Sequence, residues 1–278
     1  MRISDDCYAC LQRLTCQAAA LATTNEVTKS KAIEEGLKVL DDSFSYNEVS
    51  IVIATKIHDA IKKVTQNPDP YRGMKDMEIS SSKELFNDIS PEHNDLRSCL
   101  RLAALGNAID FFRPPDVTRR DMRKKVILTI DDSEHLESKL KHANKVLYLA
   151  DNAGEVFFDL PLLRQMRQYV HTIYVVKASP VQNDVTLKEV RKTGREKEFG
   201  EIITTGTATP GIVFPLASEQ FKQEFAAADL IFAKGMGYYE SLSELPSDGR
   251  IFYCLMAKCQ PVADSLHVPL NSYVAMLQ

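Results

Sequence analysis

The chain has 278 residues, 44% of them hydrophobic and 26% charged, enough to bury a sizeable core in one or two domains. Its 34 basic and 38 acidic residues give a formal net charge of -4, which argues against general nucleic-acid binding because that requires a basic face. No stretch approaches a membrane span, MRISDDCYAC lacks the charged-then-apolar order of a signal peptide, and six scattered cysteines suggest no disulfide framework, so a soluble cytoplasmic protein with reduced thiols is expected.

Apolar residues recur at spacings of three and four over 8–22, 29–40, 47–63 and 96–112, the period of helices with one buried stripe. QNPDPYRGMKD at 66–76 carries Pro68, Pro70 and Gly73 and reads as a loop, and RPPDVTRRD at 113–121 is a second break. The domain seam is placed there, with a helical N-terminal domain over 1–115 and an α/β domain over 116–278. Beyond it come short β-branched and aromatic runs of strand length: KVLYLA (145–150), TIYVVK (172–177), EIITTG (201–206), LIFAKG (230–235) and RIFYCLMA (250–257). Helical stretches at 156–170, 183–192 and 218–229 separate several of them. That alternation predicts a Rossmann-like, mainly parallel, doubly wound sheet behind an all-α domain.

In such a sheet, ligands bind beyond the carboxyl ends of the strands. Those ends carry Asp151 and Asn152, then Asn183 and Asp184, then TGTATPG (205–211), then Lys234 and Gly235 in KGMGYYES, and finally Lys258 and Cys259. Carboxylates with an amide carbonyl, and no histidine or thiolate beside them, suit Mg²⁺ or Mn²⁺, and Asp151, Asn152 and Asp184 make such a set. Lys234 beside glycines whose N–H groups can approach an anion suits a phosphate. Singly, each residue has an ordinary reading, since Asp before a helix is a common N-cap and a lysine at a strand end is commonly solvated. Only their convergence on one edge favours chemistry.

The combination DNAGEVFFD (151–159), NDVT (183–186), TGTATPG, KGMGYYESL (234–242), GNAIDF (106–111) and the leading Cys7–Cys10 pair resembles the damage-control phosphatase family, long known as domain-of-unknown-function family 89. The likeness spans essentially the whole chain, and the C-x-x-C and compact length resemble its stand-alone microbial branch. It implies a helical domain packed on a Rossmann-like domain and a metal-dependent phosphatase of small phosphorylated metabolites, such as sugar phosphates or phosphopantetheine-type compounds. It further implies that Asp151, Asn152 and Asp184 hold the metal (Mn²⁺ or Mg²⁺, with Ni²⁺ or Co²⁺ as further candidates) and that Lys234 lies near the substrate phosphate. Glu155 falls on the motif's glutamate, as a support of the ligands or a substrate contact.

Asn107 and Asp110 interrupt an apolar helix one turn apart, and Asn107 is assigned to the pocket wall, reaching the substrate. Arg72 reads as a solvated loop residue before a lid residue. Cys7 and Cys10 lack a second pair at zinc spacing and read as packed thiols ahead of a redox or metal pair. The six histidines show no metal spacing. Neither a G-x-S-x-G elbow nor a D-x-D at a strand end is present, so the aspartyl-phosphate route of another phosphatase class is not indicated. Water activated by the cation is the first choice of nucleophile, with attack by Asp151 or Asp184 as the alternative. The rivals are a methyl-donor-using or ligand-binding Rossmann-like protein and a non-catalytic scaffold. The expected partner is a small phosphorylated metabolite, with no nucleic acid and no membrane; oligomeric state is left open.

Overall fold

The computed structural model describes residues 1–89, 94–108 and 126–278. The first three helices, α1 (Asp5–Ala22), α2 (Glu26–Ser43) and α3 (Ser50–Thr65), bury Leu11, Ala18, Ala32, Leu40, Ile57 and Ile61 in a core of their own. The chain enters α2 through Asn25, whose side chain accepts the Thr28 N–H at 2.9 Å, and leaves α3 through Gln66 in the left-handed region. At Gly36 α2 crosses α1 so closely that a Cβ would lie 2.5 Å from a methyl of Thr15.

Helix α4 (Arg72–Ile89) starts inside the stretch read as a loop over 66–76. Pro68 and Pro70 keep residues up to 70 out of the helix, but the chain is helical from Arg72 onward. The inward stripe of α4 mixes Lys75, Glu78 and Ser82 with Ile79 and Phe86, and those polar members hide the amphipathic signal. Helix α5 (Leu96–Gly106) is capped by Asp95, which accepts the Ser98 N–H at 2.9 Å. The remainder of the expected helix to 112, with Asp110, lies outside the described residues.

Among the described residues, seven strands form one sheet: β1 (Leu128–Asp131), β2 (Lys145–Leu149), β3 (His171–Val176), β4 (Ile202–Thr204), β5 (Leu230–Lys234), β6 (Ile251–Met256) and β7 (Tyr273–Leu277). Their order is β1-β7-β6-β5-β2-β3-β4. The five expected strands, β2 to β6, are mutually parallel; β7 runs antiparallel to β6 and pairs in parallel with β1. The parallel core is buried on both faces, as its near-continuous apolar runs require. Tyr148, Tyr174, Phe232 and Phe252 face α4, α5, α6 (Ser133–His142) and α7 (Val156–Met166). Leu149, Val175, Ile231 and Tyr253 face α9 (Glu219–Ala227), α10 (Gly235–Leu242) and α11 (Gln260–Ser265). A short α8 (Leu187–Lys192) follows β3. This is the doubly wound α/β fold with helices before it.

Helices α4 and α5 share the core of one sheet face, whereas α1 to α3 keep a separate one. A boundary at residue 115 falls outside the described residues. Among the described residues, no helix is long and apolar enough to cross a membrane.

From β2 the chain winds outward through β3 and β4, then returns to the other side of β2 for β5 and β6. The topological switch therefore lies between β2 and β5, where two loops diverge and leave a crevice at the carboxyl edge. Asp151 follows β2 by two residues, and Gly235 follows β5 at once.

Candidate active site

After β2 the Ala150 N–H still bonds to the Val175 carbonyl at 3.0 Å, and then the chain turns through a 3₁₀ segment (Ala153–Glu155) into α7. The loop after β3 is laced to it. The Val185 N–H donates to the Asp151 carbonyl and the Ala153 N–H to the Asn183 carbonyl, both at 2.8 Å, and Asn152 and Asp184 pair as an isolated antiparallel bridge. Two β–α crossovers are thus tied by their backbones, and Asp151, Asn152 and Asp184 are brought together.

Asp151 Oδ2 accepts from Asn107 Nδ2 at 2.9 Å and from Asn152 Nδ2 at 3.0 Å. The same two amide nitrogens each donate to Glu155 Oε1 at 2.8 Å. Asn107 Oδ1 accepts the Met256 N–H at 2.9 Å, so this side chain is bonded through both ends. It holds the carboxylates of Asp151 and Glu155 together, and its helix delivers it there through Gly106, where a Cβ would come 2.8 Å from Phe158. Asp151 Oδ1 and Asn152 Oδ1 take no donor among the described residues.

Gly235 has φ +78, and a Cβ there would lie 1.9 Å from Asp151 Oδ2. Its role is the close approach of β5 to the Asp151 carboxylate, a conformation and a space that only glycine supplies.

Lys234 is fully buried. Its ammonium donates to the Ala103 carbonyl at 2.7 Å and sits 2.8 Å from both Asp159 Oδ1 and Glu155 Oε2. Ala103 and Asp159 each accept one of its hydrogens, whereas Glu155 Oε2 is an ion-pair contact that receives no hydrogen bond. Lys234, expected near the substrate phosphate, lies in the structure as a counter-cation beneath the carboxylates. Burial alone would lower its pKa, but the Asp159 and Glu155 carboxylates more than offset that and hold it charged.

A second buried ammonium lies closer to the edge. Lys177, just past β3, donates to the Tyr238 hydroxyl at 3.0 Å and to the Gly211 carbonyl, with Asp184 Oδ2 3.5 Å away. Lys258, half-buried at the end of β6, bonds through its N–H to the sulfur of Met236, and its charge acts on Asp151. Asp184 Oδ2 is buried without a hydrogen-bond donor. Burial, only partly offset by Lys177, pushes the Asp184 carboxyl up to about 6. Burial, followed by the negative charges of Glu155 and Asp184, raises Asp151 well above the usual carboxylate range.

Within this cluster four buried carboxylates (Asp151, Glu155, Asp159 and Asp184) stand against the ammoniums of Lys177 and Lys234, a surplus of two negative charges when all are ionised; Lys75, also fully buried, is paired with Asp69 and Glu189, and Lys258 acts on Asp151 from a half-buried position. Among the described residues no three His, Cys, Asp or Glu side chains cluster as a metal-holding group. The set here is instead two carboxylates and one amide, with Glu155 engaged by Lys234. Open oxygens on Asp151 and Asn152, an orphaned oxygen on Asp184 and the negative surplus fit a hard divalent cation.

Helix α4 closes one side. Glu78 accepts from Asn183 Nδ2 at 3.1 and 3.3 Å, and Lys75 lies 3.1 Å from both Asp69 and Glu189. Arg72 is exposed at the start of this helix. All six cysteines are free; Cys7 is half-buried beside Ser4, Cys10 is exposed, and burial pushes Cys259 up to about 12. Of the groups around the cluster, Asp159, Lys177, Lys75 and Glu78 carried no assignment from sequence. Asp159 had a readable signal, because a carboxylate in the apolar run VFFDLPLL one helical turn after Glu155 shares its face.

Fold and site together define a Rossmann-like α/β protein with a carboxylate–amide cluster at the switch point of its sheet. The family model of the damage-control phosphatase ARMT1-like domain matches residues 3–274, and the chain belongs to that family. It is 32% identical to a protein named damage-control phosphatase from Pyrococcus horikoshii, over 99% of this chain and 98% of that one. It is 30% identical to another of that name from Archaeoglobus fulgidus, over 99% of each. An uncharacterised protein of Methanocaldococcus jannaschii is 33% identical over 99% of this chain and 95% of its own length. The crystal structure of a DUF89 family protein from Pyrococcus horikoshii superposes with a TM-score of 0.90 at 30% identity, covering 100% of this chain and 99% of that one.

Proposed function

We propose that the protein hydrolyses phosphomonoesters of small metabolites with a divalent cation, Mn²⁺ or Mg²⁺, held by Asp151, Asn152 and Asp184. The observation that carries this is the orphaned Asp184 Oδ2, brought beside the open oxygens of Asp151 and Asn152 by the paired loops. Family membership and two relatives named damage-control phosphatase support the reaction class. Bound there, a divalent cation supplies polarisation of a phosphoryl oxygen and offsets its charge.

The chain's own residues do the rest. Asn107 and Asn152 fix one oxygen of Asp151, leaving the other for the ligand site. Lys177 brings positive charge to the same edge, and Lys258, on the neighbouring strand end and less buried, is assigned the non-bridging phosphate oxygens in place of Lys234. The near-burial of the cluster keeps the local dielectric low, which strengthens each of these interactions.

The test is phosphate release from a panel of sugar phosphates and phosphopantetheine-type compounds, before and after chelation and with Mn²⁺ restored. Restored release that falls at least ~100-fold in Asp151→Asn and in Asp184→Asn is expected, in line with losing a group that stabilises transition-state charge. Release indifferent to chelation, or tight binding of a methyl donor with no release, would overturn the proposal.

A further inference from the structure

The ring of contacts around Asn152 has a direction. Asn107 Nδ2 and Asn152 Nδ2 alternate with Asp151 Oδ2 and Glu155 Oε1 in a closed four-membered circuit of two nitrogens and two oxygens, every side 2.8 to 3.0 Å. Both oxygens accept, so only the nitrogen end of the Asn152 amide fits inside the ring, and its carbonyl oxygen must face out. An amide turned the other way would set oxygen against two carboxylate oxygens.

Glu155 is held in the circuit by the two amides on Oε1 and, one layer deeper, by charge: its second oxygen takes no hydrogen bond but is 2.8 Å from the ammonium of Lys234, which is equally close to Asp159 Oδ1. Asp159 is gripped in turn: the Tyr148 hydroxyl donates to Oδ1 at 2.7 Å and the Tyr174 hydroxyl to Oδ2 at 2.9 Å. Both tyrosines stand in the middle of the sheet, on strands adjacent to each other, within an otherwise apolar core. Burying an ion pair and two hydroxyls where apolar side chains would pack as well is costly and is weak evidence for a stabilising role alone. Among the described residues the chain Tyr148/Tyr174–Asp159–Lys234 leads to the Ala103 carbonyl of α5 and to Glu155, and through Glu155 to the ring that orients Asn152.

We propose that Asp159 is a positioning residue, which holds Lys234 against Glu155 and thereby keeps the Asn152 amide nitrogen inward and its oxygen toward the cation site. The charge balance points the same way. Asp159 offsets Lys234, so that the ammonium fixes Glu155 without erasing the negative surplus at the site. In Asp159→Asn the ammonium has only Glu155 as an anionic partner, draws it out of the ring, and frees Asn152 to rotate. This inference rests on the cation reading above.

The test measures Mn²⁺ binding to the chelated, full-length protein by calorimetry, alongside thermal unfolding without metal and phosphate release. Asp159→Asn is expected to weaken Mn²⁺ binding at least tenfold and to raise the Mn²⁺ needed for half-maximal release by a similar factor, with KM for the phosphate ester unchanged. Asn152→Asp has oxygen at both ends and no orientation to lose. In that background, Asp159→Asn is expected to weaken binding less than threefold, and such coupling is what a double-mutant cycle isolates. Equal losses in both backgrounds would mean a plain charge effect and overturn the proposal, as would wild-type affinity in a folded Asp159→Asn. Should Asp159→Asn not fold, Tyr148→Phe combined with Tyr174→Phe removes both grips on Asp159; unchanged Mn²⁺ affinity there is equally fatal. A wild-type protein that binds no Mn²⁺ defeats the cation reading and this inference together, whereas wild-type binding lost in Asp151→Asn but untouched by the Asp159 and tyrosine variants defeats this inference alone.

Discussion

A methyl group at position 235 would lie 1.9 Å from Asp151 Oδ2, on a backbone whose φ is +78. Gly235→Ala therefore carries two separable penalties. The left-handed backbone costs a non-glycine residue about 1–2 kcal/mol of stability. The clash must also push the Asp151 carboxylate out of its ring, which is expected to lower phosphate release at least ~100-fold, the scale for losing charge stabilisation at a reacting centre. Gly249→Ala is the comparison, since Gly249 has φ +73 but meets only the end of the Lys139 side chain, at 3.3 Å. It should show the strain in unfolding midpoint and leave release unchanged; equal activity in the two variants would refute the clash argument. At this scale the sequence was informative about which residues gather and less so about where they point. Asp151, Asn152 and Asp184 followed from their places after two strands. Lys234 stands beside glycines at the strand end, and strand alternation puts its side chain on the face of Leu230 and Phe232, under α5 and α7. Applying the period of two to the last strand residue turns its ammonium inward.

Among the elements, α3 carries the clearest titrating group of the helical region. His58 is buried, its Nδ1–H donating to the Ala54 carbonyl at 2.7 Å while Nε2, 3.2 Å from the Tyr71 hydroxyl, is left to accept. Burial lowers its pKa to about 4 from the usual 6.5. Above pH 6.5 neither folded nor unfolded protein binds this proton; as pH falls toward 4 the unfolded chain takes it up and the folded one refuses it, so stability is lost on acidification. Between pH 7.5 and 5 this group alone should remove about 2 kcal/mol. Urea unfolding of wild type and His58→Gln at both pH values measures it: the acid-induced loss should be smaller in the variant by that amount, and parallel losses would contradict the assignment. The five central strands were legible because burial on both faces writes them as unbroken apolar runs. Strands β1 and β7 were not, since LTID is short and half polar and YVAML is only partly buried at its ends. Helix α4 escaped because Lys75, Glu78 and Ser82 occupy its buried stripe, where they meet Glu189, Asn183 and the edge of the site rather than an apolar core. Polar residues that look like a solvated face in sequence are here a closing wall, and only tertiary contacts distinguish the two.

For the molecule as a whole, the negative surplus at the switch point couples folding to protons and, on the proposed reading, to a cation. The Asp184 carboxyl is pushed up to about 6, and Asp151 is raised as well. The native, cation-free protein thus retains protons that the unfolded chain has released near pH 4, so these groups make it less stable as pH rises through 6. A divalent cation bound as proposed would compete for the same oxygens and remove that penalty. Mn²⁺ should accordingly bind about tenfold more weakly at pH 5 than at pH 7.5 from the Asp184 proton alone, and more weakly still with Asp151 included. Thermal unfolding should follow, with saturating Mn²⁺ raising the midpoint more at pH 7.5 than at pH 5 and a chelator reversing the rise at both. In Asp184→Asn the pH dependence of binding should flatten along with its strength. A cation that stabilised the protein equally at both pH values would have to sit on groups already ionised in that range, such as the exposed acids of the surface, and not in the buried crevice between β2 and β5.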